Sequence, residues 1–216
     1  MKPKNIRAGF SLVELAVAMS ILGLVLAIPI LLLRSAEQLQ RTRTAQAELE
    51  GLARRTLDRI AERLEASGTA VIPQWGGGPG VGTSLVEFQP AIGWAAGATV
   101  WGPLERIQLA DDPADPDDGV DNDSDGTIDE KRVLWITDVG LPTQRTLVLC
   151  GSVRDSLAGE LPANGLDDNG NGLIDEAGLV FAFDADSVTV RITLEKRDGS
   201  GQVISHTAQR NIAFRN

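Results

Sequence analysis

The hydropathy of the chain changes character near residue 34. Residues 10–33 form an apolar run of 24 residues whose only charge is Glu14, and a short basic leader, residues 1–9, precedes it and ends in Gly9. A helix of about 20 apolar residues crosses a bilayer, so the run predicts a transmembrane helix over 10–33. Pro29 lies inside it and removes one backbone hydrogen bond. Beyond Arg34 the pattern turns amphipathic. Leu49, Ala53, Leu57, Ile60 and Leu64 recur at steps of 4, 4, 3 and 4, while Arg54, Arg55, Asp58, Arg59, Glu62 and Arg63 fall opposite. That stripe has the period of a helix and extends it over 34–67, to an end near Ser67 and Gly68. The glycine- and proline-rich stretch 76–80 reads as a loop. After it the period becomes two. Val188, Val190, Ile192 and Leu194 alternate with Thr189, Arg191, Thr193 and Glu195, and the turn residues 198–201 lead into a second strand over 203–214. Further strands are predicted over 132–139, 145–153 and 179–184, and weaker ones over 85–89 and 105–109. The order of elements predicts an α+β fold, with one long N-terminal helix packed on an antiparallel β-sheet head spanning 68–216.

Charge narrows the function classes. The chain of 216 residues carries a formal charge of −10, and removing the three leader cations Lys2, Lys4 and Arg7 would take it to −13. Such a chain lacks the clustered cations that phosphate neutralisation requires, so nucleic acid is not an expected partner. Cys150 is the only cysteine, in an apolar strand-like segment, and reads as a packed core thiol. His206 is the only histidine. Neither a His/Cys metal site nor a familiar nucleophile–base pair has enough parts.

Much of the acidity lies in an internal repeat. Residues 118–130 and 164–176 align without a gap, 46 residues apart, with six of 13 positions identical, and they carry charges of −6 and −4. Oxygen-bearing side chains fall at loop positions 1, 3, 5 and 9: Asp121, Asp123, Asp125 and Asp129 in the first, and Asp167, Asn169, Asn171 and Asp175 in the second. Gly126 and Gly172 fill position 6, where a calcium loop turns sharply, and Thr127 and Leu173 at position 7 would offer backbone carbonyls. Six to eight oxygens around a hard cation suit this arrangement, and Ca²⁺ is the expected ion. An EF-hand carries a glutamate at position 12, but Arg132 and Gly178 stand there. Glu130 and Glu176, at position 10, are the candidate substitutes. No flanking helices are evident. The repeats resemble the short Asp-rich calcium loops of extracellular proteins such as thrombospondin type 3 and dockerin modules. Asp111, Asp112, Asp115 and Asp117, ahead of the first loop, read as solvated. The alternative reading of both repeats is a pair of solvated turns, since Asp, Asn and Gly make turns without any ion.

Glu14 also needs a partner, because an acid within an apolar span costs roughly 2.5–3.5 kcal/mol at mid-membrane. Arg34 is 20 residues away. Cleavage after Gly9 would create an amine on Phe10, in the same or a neighbouring copy, that could pair with Glu14. Gly9, Phe10 and Glu14 together closely resemble the processing and methylation signal of type IV prepilins and type II secretion pseudopilins. The resemblance covers about 25 residues. It implies a pilin-like fold, cleavage after Gly9 and methylation of Phe10 by a prepilin peptidase, and a role for Glu14 in assembly with other pilin or pseudopilin subunits. It implies a single-pass inner-membrane protein with its head in the periplasm. The head and the C-terminal residues 210–216 are also similar to J-type minor pseudopilins and W-type minor pilins. The resemblance implies a structural minor subunit and not an enzyme, and the acidic repeats add calcium-binding loops to that expectation. The alternatives are a calcium-binding surface protein on an uncleaved anchor, and a tethered hydrolase with paired aspartates. Glycine-rich loops are a poor setting for the raised carboxyl pKa that the latter needs.

Overall fold

Leu12 to Ser67 form one helix, α1, of 56 residues. The computed structural model describes residues 11–68, 71–73, 82–161, 164–184 and 187–214. The loop expected over 76–80 lies outside these. The chain separates into two units, residues 1–41 and 42–216. In the first, the apolar side chains of α1 are exposed. Leu12 is 85 % exposed and Leu32 66 %. This stretch is apolar and long enough to cross a membrane. Pro29 sits within it.

In the second unit α1 buries one face. Leu49, Ala53, Leu57, Ile60 and Leu64 are all buried, while Arg54, Arg55, Asp58, Arg59 and Glu62 are exposed. The burial follows the 3.6-residue period, as expected of a helix that gives one stripe to a core. Arg63, at the edge of the stripe, lies with its guanidinium 4.1 Å from the ring centre of Trp135, a cation–π contact. Gly68, with φ of 52°, takes the left-handed conformation after the last turn that glycine supplies without steric cost.

The apolar stripe packs on an antiparallel sheet. Its strands are β1 (Val71–Pro73), β2 (Leu85–Phe88), β5 (Glu105–Asp111), β6 (Lys131–Thr137), β7 (Arg145–Val153), β9 (Ser187–Arg197) and β10 (Val203–Ala213), side by side in that order. A further strand, β8 (Leu179–Phe183), pairs with β9. The sheet is curled over the helix. Val86, Phe88, Ile107, Val133, Phe181 and Ile192 are fully buried against the stripe. In β9 the expected alternation holds, with Val188, Val190, Ile192 and Leu194 all at 0 % exposure. Thr193, on the other face, is buried as well, and its hydroxyl accepts a hydrogen bond from the Ala158 N–H at 3.2 Å. The hairpin of β9 and β10 forms as the sequence predicted, in register from Arg197 with Val203 to Ser187 with Ala213. Its turn is tied to α1. Asp198 accepts hydrogen bonds from the Ser200 hydroxyl and, at 2.8 Å, from Thr42, and these donors hold its carboxyl well below the usual range.

Three strands were not predicted. β1 has three residues, and β3 (Ala91–Ala95) and β4 (Ala98–Trp101) form a separate hairpin. Every residue of β3 is exposed, so burial imposes no alternation that a sequence could display. The two acidic repeats occupy the connection from β5 to β6 and the connection from β7 to β8. Strands, not helices, flank both. The bases of the connections are joined by Lys131, whose Nζ lies 2.8 Å from Asp111 and 3.2 Å from Asp155.

Candidate functional site

Two parts of the chain carry chemistry, and each belongs to its own unit. At the start of α1, Ser11 caps the helix. Its Oγ accepts the Val13 N–H at 3.3 Å, and its own N–H donates to Glu14 Oε2 at 3.2 Å. Ser11 thus caps the helix through the second helical N–H, and Glu14 supplies the return half of a capping box. Glu14 is thereby turned toward the N-terminal end of the helix. Gly9 and Phe10 lie outside the described residues.

The acidic repeats fold alike. Positive φ recurs at matching positions: Gly119 and Gly165, Ser124 and Gly170, Gly126 and Gly172, Asp129 and Asp175. Asp and Ser are the only non-glycine residues in these pairs, and a short polar side chain tolerates that region better than most. The hydrogen bonds match too. Asp121 Oδ2 accepts the Gly126 N–H at 3.0 Å, and Asp167 Oδ2 accepts the Gly172 N–H at 2.9 Å. Asp123 Oδ1 accepts the Asp125 N–H, and Asn169 Oδ1 accepts the Asn171 N–H, both at 3.0 Å. Asp125 Oδ1 accepts the Thr127 N–H, and Asn171 Oδ1 the Leu173 N–H, both at 2.9 Å. Each loop thus curls around the side-chain oxygens of positions 1, 3 and 5.

Three carboxylates converge in the first loop. Oxygens of Asp121, Asp123 and Asp125 lie within 4.8 Å of one another. Thr127 is buried, with its hydroxyl donating to Asp125 Oδ1 at 2.6 Å. Position 9 has a different task. Asp129 Oδ1 accepts the backbone N–H groups of Asp118 and Gly119, and Asp175 Oδ1 those of Asn164 and Gly165, at 2.9–3.1 Å. These two acids fasten the entrance of each loop to its exit.

The position-10 glutamates point inward. Glu130 is 5 % exposed and Glu176 3 %. Burial pushes the Glu130 carboxyl up to about 8, with the neighbouring Asp115 adding to the rise. Glu176 is also raised, by burial first. Asp115 corrects the expectation of a solvated acid: it is 1 % exposed, with Oδ1 accepting the Asn122 N–H at 2.7 Å, which lowers its pKa. Asp111 and Asp117 are exposed and Asp112 is half-buried. The spacing of the repeat gives no sign of Asp115, or of Glu160, which is 2 % exposed and accepts the Asn169 N–H at 3.0 Å.

Among the described residues, several buried oxygens in and beside these loops have no hydrogen-bond partner: Asp121 Oδ1, Glu130 Oε1, Glu160 Oε2 and Glu176 Oε2. Buried polar atoms are nearly always satisfied, so such a cluster calls for an explanation. A hard cation supplies one, because it would take up lone pairs that no N–H reaches. The structure also explains the missing position-12 acid. Arg132 belongs to β6, opposite Ala110. At Gly178 a Cβ would stand 1.8 Å from the Arg154 carbonyl oxygen, so no side chain fits.

A family model described as the prokaryotic N-terminal methylation motif matches residues 4–28. The match fits the type IV pilin and pseudopilin family. A comparison with curated proteins found no significant match. A comparison with solved structures found none either.

Proposed function

We propose that the chain is a structural subunit of a type IV pilus or type II secretion fibre, of the minor pilin or minor pseudopilin kind, with calcium-binding loops in its head. The observation that carries this reading is the methylation motif over residues 4–28, continuous with the apolar start of α1. The reading places the apolar stretch 10–33 in the inner membrane and the head in the periplasm. A prepilin peptidase cuts between Gly9 and Phe10 and methylates the new amine. Glu14 then neutralises a Phe10 amine as the subunit enters the fibre. The apolar side chains exposed along residues 12–33 support this, because a fibre core or a bilayer would cover them.

The assembly role of Glu14 separates charge from helix capping in one experiment. Glu14→Gln retains an oxygen that accepts the Ser11 N–H but carries no charge. Glu14→Leu loses both and inserts into a bilayer at least as well, since the desolvation cost vanishes. The reading predicts that both variants crosslink poorly into fibres while reaching the membrane normally. Normal incorporation of Glu14→Gln would contradict it.

A further inference from the structure

The second repeat is short of charge for a calcium loop. Its positions 1, 3 and 5 are Asp167, Asn169 and Asn171, where the first repeat has three aspartates. Asp175 is occupied at the loop entrance by the N–H groups of Asn164 and Gly165. Asp168 is likewise occupied, its Oδ2 accepting the Leu161 N–H and Asn164 Nδ2, so within the loop Asp167 and Glu176 remain as carboxylates for an ion. Affinity in such loops is set largely by the number of charged ligands.

A third carboxylate arrives from outside the repeat. Leu157 to Glu160 form a turn closed by the Glu160 N–H on the Leu157 carbonyl at 3.0 Å. This turn lies against the loop, since a Cβ on Gly159 would stand 3.0 Å from Asn169 Cβ. Glu160 Oε1 accepts the Asn169 N–H at loop position 3, and Glu176 Oε1 accepts Asn171 Nδ2 at position 5, at 2.6 Å. Both side chains are therefore anchored to the loop by one oxygen. The second oxygen of each is buried without a partner. Arg191 on β9 places its Nη1 4.0 Å from Glu176 Oε1, and that nitrogen has no hydrogen-bond partner among the described residues. Glu160 and Glu176 are thus two buried carboxylates within reach of one another beside one loop, and a divalent cation would offset this like-charge pair.

We propose that Glu160 is a calcium ligand of the second loop, joining Asp167, Asn169, Asn171 and Glu176 and supplying the carboxylate that the repeat itself lacks. The proposal rests on the reading of the repeats as calcium loops. It makes the second site a joint of two segments, so that the ion ties the turn after β7 to the segment that enters β8.

Calorimetric titration of Ca²⁺ into the full chain in detergent tests it, with a melt in chelator alongside. Glu160→Gln keeps the oxygen that accepts the Asn169 N–H and removes the charge. The parent should bind two ions, and Glu160→Gln should weaken one of them at least about tenfold, consistent with affinity following ligand charge. In chelator the variant should melt no lower than the parent, because a like-charge pair has been relieved. Glu160→Asp, which keeps the charge, should bind with intermediate affinity. Asp123→Ala with Asp125→Ala should remove the other ion. A parent that binds no calcium would overturn the loop reading and the proposal together. If the parent binds two ions and Glu160→Gln matches it, the proposal alone falls. It falls as well if Glu160→Gln melts lower in chelator, since Glu160 would then be a structural residue.

Discussion

Calcium should stabilise the head, and the size of the effect can be worked out. The perturbation is Asp123→Ala with Asp125→Ala, which removes two of the three carboxylates that converge within 4.8 Å in the first loop. Extracellular calcium modules bind on the order of 10⁻⁴–10⁻³ M. At about 10 mM calcium the ion stands at roughly 10–100 times that constant, and binding to the folded state alone adds about 1.4–2.7 kcal/mol per occupied site. For a domain of 150–250 residues each kcal/mol moves Tm by about 2–4 °C, so one site should raise it by roughly 3–11 °C. The assay is a melt of the full chain in detergent, followed by a signal of the β-rich head, in calcium and then in chelator. The double variant should lose the share of the shift that belongs to the first loop and keep the remainder. In chelator it should melt close to the parent or above it, because two crowded like charges are gone. A parent whose Tm does not move at millimolar calcium would refute the reasoning and leave both repeats as acidic turns.

Two further predictions concern the head. Cys150 is 4 % exposed and burial pushes its thiol up to about 11, so at neutral pH it should resist alkylation in the native state and react promptly in denaturant; prompt native labelling, read by mass spectrometry, would contradict the packing described. Gly178→Ala should destabilise the head by about 1–3 kcal/mol or more, since the backbone must shift to clear the Arg154 carbonyl; an unchanged denaturant midpoint would show that β8 enters the sheet differently.

Much of this architecture was legible because burial repeats with a fixed period. The stripe from Leu49 to Leu64 and the alternation through β9 each bury one face, and each shows in the spacing of apolar residues. The hairpin of β3 and β4 was not legible, because it buries little and has no side on which polar residues are excluded. The loops show the same division. Positions 1, 3 and 5 were readable since the repeat places them by backbone curvature. Position 9 was readable as an acid but not as a clasp, because its hydrogen bonds reach back 10 and 11 residues to the loop entrance. Asp115 and Glu160 lie outside the repeated segment and reach the loops only through the fold. The assignment of position 12 could not be completed from spacing alone, because the clash at Gly178 comes from Arg154, a residue of the preceding segment.

The central claim is that this chain is processed as a prepilin, and the mass of its N-terminus tests that most directly. The full chain should be produced with a prepilin peptidase, extracted from the membrane and measured intact. The account predicts a chain that begins at Phe10 with a methylated amine. Gly9→Val should block the cut, because a branched side chain would intrude beside the scissile bond, and should leave Met1 or its immediate product in place. A parent chain that retains residues 1–9 in the presence of an active peptidase, or a Gly9→Val chain processed at the parent rate, would contradict the claim and favour an uncleaved membrane anchor.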